Sequence, residues 1–238
     1  MKPTIAIMLM ALVFHACAPL VHISKAGAPI PCLGAIGKQR STLFAKYFHK
    51  VGEPTLSEPI AISIQSVAFT PGQLVKYTKR QESQGKKSNI SKGDSTQIQQ
   101  QYYMAKISDA IGLTTQLKSS ENQPIIDYLK EDKNLVMLTG ISFMANEEIS
   151  RQINTTGHYY INNVNGKLTL ELNGNAGKYQ VEMSDLQIFG FETSNFCWKR
   201  NKLGQVEIAH ILMDGNSCPG ETKNNPNKLD PILDYSKL

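Results

Sequence analysis

At 238 residues, 41% hydrophobic and 19% charged, the chain has enough apolar side chain for a real core, which excludes wholesale disorder. Its formal net charge of +5 is a weak basic excess, too small and too spread to suggest a polyanion-coating protein. The densest basic stretch, KYTKRQESQGKK at 76 to 87, is diluted by Gln, Ser and Gly, so it reads as a solvated hairpin or loop, and nucleic acid is not an expected partner.

In chain order, the first feature is a leader. Lys2 and the amino group are followed by TIAIMLMALVF, residues 4 to 14, apolar apart from Thr4. A charged start, an apolar run of this length and small residues beyond it describe an export signal. A membrane-spanning helix needs roughly 20 apolar residues, and extending this run that far would absorb His15, Pro19 and His22. Two cleavage schemes fit: one after Ala26, at SKA, and one between Ala16 and Cys17.

The second scheme rests on VFHAC, residues 13 to 17, which resembles the relaxed lipobox of envelope lipoproteins of the Bacteroidota. Phe14 and His15 depart from the strict Leu-Ala-Gly-Cys pattern, and the resemblance covers only the signal region. It implies an acylated Cys17, membrane attachment through that lipid, and a location in the bacterial cell envelope. Acyl chains buried at about 0.8 kcal/mol per methylene would make the attachment stable. No acidic cluster follows Cys17, so the expected face is periplasmic. The expected division is an export signal at 1–16, a tether at 17–40 rich in Pro and Gly, a β-rich domain at 41–218, and a polar tail at 219–238.

Beyond the leader lie Cys32, Cys197 and Cys218, numbers that suit an oxidising compartment. Cys197 and Cys218 stand at the two ends of a predicted hairpin and are disulfide candidates. Cys32 is the alternative partner for either, and spacing alone does not choose. No Cys-x-x-Cys or Cys/His spacing points to a metal, and no cofactor is expected.

The body is read mainly as strands. STLFAKYFHKVG, 41 to 52, suits either a short amphipathic helix or a strand. IAISIQSVAFT, 60 to 70, alternates with a phase slip at Gln65 and Ser66, which predicts a bulged strand. TPGQ, 70 to 73, reads as a turn, followed by a strand at LVKYTKRQ and a polar loop at 82–95. QIQQQYYMAKIS, 97 to 108, is strand-like. Residues 119–134 carry the clearest helix signal, with Pro124 suited to a first turn and Ile125 four residues before Leu129. LVMLTGISFMA, 135 to 145, is apolar at both parities, as in a strand covered on both faces. NEEISRQIN reads as a short helix capped by Asn146. From residue 158 a meander of about six strands is expected, opened by a hairpin at Asn165-Gly166. The fold class is therefore α+β and β-dominated: an antiparallel sheet or sandwich with a C-terminal meander and one or two short helices.

No catalytic or metal-binding residue is nominated. His210 falls in phase with Val206, Ile208 and Leu212 and is expected to face the core. GDS at 93 to 95 only superficially resembles a hydrolase nucleophile block, and DST at 94 to 96 a short glycosylation motif. Asp109, Asp127, Asp132, Glu147, Glu148 and Asp185 are scattered. Trp198, Tyr102-Tyr103 and Tyr159-Tyr160 suit either a ligand platform or packing. The expected function is a non-enzymatic binding or structural role for an unidentified protein or carbohydrate ligand. The alternative is an exported hydrolase whose site assembles only in the fold.

Overall fold

A computed structural model describes residues 32–41, 46–85, 100–174, 177–213 and 217–229. The strands are β1 (Ile36–Ser41), β2 (Lys46–Gly52), β3 (Ile60–Ala68), β4 (Gln101–Ile107), β5 (Leu135–Met144), β6 (His158–Val164), β7 (Lys167–Gly174), β8 (Gly177–Val181), β9 (Gln187–Arg200) and β10 (Val206–Leu212). Four α-helices join them: α1 (Pro71–Ser83), α2 (Ala110–Leu117), α3 (Gln123–Glu131) and α4 (Glu147–Thr155). The strands form one open sheet in the order β10-β9-β5-β4-β3-β6-β7-β8, with the β1–β2 hairpin branching from β5. Every ladder among the described strands is antiparallel. The fold is thus a β-dominated α+β sheet.

The apolar run at 135–145 becomes the central strand. β5 pairs with β9 along one edge and with β1 and β4 in succession along the other. Met137 and Leu138 point to opposite faces and are both fully buried, so both faces of β5 are covered, and a bulge follows at Thr139. The Thr139 hydroxyl lies 2.8 Å from that of Ser194, so two polar atoms enclosed by the sheet satisfy each other. Asn165 and Gly166 both have positive φ, 52° and 76°, the geometry of the two-residue turn that joins β6 to β7. In α4, Asn146 accepts the Ile149 amide at 2.8 Å, and Ile149 and Ile153 enter the core. Each such buried side chain contributes about 1.5–3 kcal/mol.

Where a turn and then a strand are expected at 70–81, the chain forms α1. Thr70 and Gln73 make a reciprocal capping box, and Pro71 opens the first turn. The same four residues that read as a turn are a helix start. The bulge expected in β3 is also absent, because its register with β4 runs unbroken from Ile62 to Ala68. The phase slip instead marks a change of covered face. Ile60 and Ile62 join the main core, whereas Phe69 just past the strand belongs to a separate aromatic group under α1. There Phe69, Tyr77, Tyr102 and Phe189 lie with ring centroids 4.8–5.8 Å apart. Gln73 donates to the Tyr102 hydroxyl, and Tyr77 donates to Gln187 at 3.1 Å.

Three further expectations are corrected. Residues 32–40, assigned to the tether, belong to the fold: Cys32, Leu33, Ala35 and Ile36 are core residues, and Gly34 and Ala35 exchange backbone hydrogen bonds with Leu138. The C-terminal strands are not a six-strand meander. LQIFGFE and NFCWKR merge into the 14-residue β9, which crosses back to pair with β5 instead of β8. His210 is exposed, because the β10 register shifts between Ile208 and His210 and returns Ile211 to the interior. No helix among the described residues is long and apolar enough to cross a membrane.

Candidate binding cleft

Where α3 ends and β9 meets β10, a cleft of about 530 Å³ opens. Its floor comes from Leu135 at the start of β5, Asn195, Phe196 and Trp198 of β9, and Leu212 of β10. One wall is Leu129, Lys133 and Asn134 at the end of α3, and the other is the C-terminal segment 217–229.

Beyond residue 218 this segment reads in sequence as part of a polar tail, yet it forms a pinned strap. Cys197 and Cys218 are bonded, with Cα atoms 5.6 Å apart, which fastens its start to β9. Further along, Trp198 and Lys223 exchange backbone hydrogen bonds of 2.8 and 2.9 Å. Asn225 caps the next turn by accepting the Asn227 amide at 3.0 Å, Pro226 is buried, and Leu229 packs against the core. Proline and polar residues make the strap look unstructured in sequence; one disulfide and one isolated ladder pair hold it in place.

The charged side chains in the described lining of the cleft are all basic. Lys133, Lys223 and Lys228 line it, and no carboxylate does among the described residues. None of the three is in an ion pair among the described residues. Asp132, beside Lys133 in sequence, turns away to Lys38 at 2.6 Å, and that hydrogen bond, with the Asn134 amide, holds its carboxyl below the usual range. A second cleft of about 410 Å³ on the other flank of α3 differs in kind, because Glu207 there pairs with Lys118 at 3.4 Å and Lys199 at 3.3 Å.

Cys17 and the segments 93–95 and 94–96 lie outside the described residues. Cys32 is a free thiol, buried, with Sγ donating to the Leu168 carbonyl at 3.5 Å. Burial first, and the nearby Glu53 second, push its pKa far up, so it is unreactive as a nucleophile. His49, His158 and His210 are all exposed. The scattered carboxylates serve locally: Asp109 caps α2, Asp127 faces Lys130 at 3.2 Å, and Glu148 meets Arg151 at 2.6 Å. Among the described residues no group of three His, Cys, Asp or Glu side chains is placed to hold a metal. Tyr102 and Trp198 are buried, Tyr103 stacks on Phe143, and the Tyr159 hydroxyl bonds the Ile153 and Thr156 carbonyls, so these rings pack the fold.

Among the described residues Glu171 of β7 is the least exposed charge, at 2%. Burial pushes its carboxyl up, but Lys178 at 3.0 Å and the amides of Asn162 and Asn173 outweigh that and hold it below the ordinary value. It links β6 and β8 through Asn162 and Lys178. The cleft escaped sequence reading because its lysines come from distant segments. The one local trace is KNNPNK at 223 to 228, a run of lysines and amides without an acid. Compared with protein-family models, curated proteins and solved structures, the chain gives no match.

Proposed function

We propose that this is an exported, lipid-anchored protein of the bacterial cell envelope, facing the periplasm, whose body binds a ligand in the basic cleft without transforming it. The observation that carries the reading is the Cys197–Cys218 bridge at the rim of that cleft. A disulfide belongs to an oxidising compartment. This one also fastens the strap that walls the cleft, tying export to the shape of the site. The leader with Lys2, its apolar run and Cys17 supports the same route. Ser217 and Thr222 bring hydroxyls to a described lining that contains no histidine or carboxylate, and this favours binding over hydrolysis.

The test is metabolic labelling with a fatty-acid analogue, comparing the natural chain with Cys17→Ser. Label on the natural chain alone is expected. Label absent from both, or equal in both, overturns the anchor.

A further inference from the structure

The geometry points to an anionic oligosaccharide as the occupant of the cleft, an inference that rests on the binding role just proposed. Three observations converge. First, Lys133 from the end of α3 and Lys223 and Lys228 from the strap project charge into one concavity whose described lining has no carboxylate. Glu221 lies on the strap but is not among the lining residues, and Asp132 is engaged by Lys38. Lysine ammonium groups are mobile donors suited to the carboxylates or sulfates of acidic sugars.

Second, side-chain amides alternate with the lysines. Asn134, Asn195 and Asn224 offer both donors and acceptors, and Asn225, whose oxygen caps Asn227, has no partner for its NH2 among the described residues. Such a mixture matches ring hydroxyls, whereas a bare anion uses donors only. Below them, the partly exposed Leu212 supplies apolar surface against which a sugar ring can lie.

Third, shape and burial argue against other polyanions. A cleft of about 530 Å³ has the volume of a small-molecule site, not the flat expanse of a protein interface. Trp198 is 2% exposed and Phe196 3%, so neither presents a ring face on which a nucleobase can stack.

Because Trp198 on the floor is 2% exposed, binding is read by titration calorimetry and not by its emission. The experiment titrates the full chain, purified in non-ionic detergent, with a hexuronic acid trimer, the neutral hexose trimer of the same linkage, inorganic phosphate and a single-stranded oligonucleotide. The acidic trimer is expected to bind saturably, and more weakly as salt rises, because the lysines are exposed. Replacing Lys133, Lys223 and Lys228 together by Gln is expected to weaken binding about tenfold. Gln at Lys118 and Lys130, in the other cleft, should leave it unchanged. Equal response to the neutral trimer, to phosphate or to the oligonucleotide overturns the proposal, as does no response to the acidic trimer. Binding by a chain that takes no lipid label would remove the anchor and keep the site; a labelled chain that fails to bind would remove the site alone.

Discussion

Replacing Cys197 and Cys218 together by Ala cuts the bridge that spans a sequence separation of 21 residues. In the chain-entropy account, a closed loop of that size removes about 3 kcal/mol of freedom from the unfolded state. Against a domain stability of about 5–15 kcal/mol, this is a large share. The native structure should survive, because the strap keeps its Lys223–Trp198 backbone pair, its buried Pro226 and its Leu229 contact. Most of the loss therefore lies in the unfolded state. Urea unfolding of the variant should show stability lower by about 3 kcal/mol and a steeper denaturant dependence, since the unbridged chain expands further. Hydrogen exchange should find the Trp198 and Lys223 amides still protected below the transition. A loss under about 1 kcal/mol would refute the loop-entropy reasoning. Free exchange at Lys223 would show that the bridge alone holds the strap.

Thr70→Ala removes one half of the capping box and should cost about 1 kcal/mol, with faster exchange confined to the first turn of α1. Gly37→Ala should be far more damaging, because its new methyl would fall 2.3 Å from the His49 carbonyl oxygen and 2.7 Å from the Phe48 ring; loss of the β1–β2 pairing by NMR is the readout. For Glu171, a folded pKa held below the unfolded value means a contribution that is complete above the unfolded value and disappears as pH falls through the folded one. Lys178→Met should therefore lower the urea midpoint at pH 7, with the gap to the natural chain narrowing as acid protonates Glu171; a gap that does not narrow on acidification would contradict the ion pair.

Much of the sheet was legible because its signals are local. Asn165-Gly166 needs only two residues to specify a turn, and the parity-blind apolar run of β5 announces a strand covered on both sides. Errors arose where one local pattern serves two structures. Thr70 to Gln73 satisfies turn chemistry and helix capping alike, and only the aromatic group beneath Tyr77 decides between them. β9 read as two strands because Phe189 bulges out of its pairing with β5 and Gly190 follows. The cleft was illegible for a different reason. Lys133 and Lys223 become neighbours only after the strap pairs with Trp198, and no short-range pattern encodes that pairing.

Met137 lies between Ile36 of β1 on one side and Ser194 of β9 on the other. The strand at the centre of the molecule thus borrows its neighbours from opposite ends of the described chain. A nascent polypeptide halted before β9 would hold β5 with one edge bare, and its core would stay open. Pairings of such long range place folding in the millisecond-to-second class, with completion awaiting the last third of the chain. On the export route proposed above, that delay is an asset: the sheet closes only once the whole chain is through.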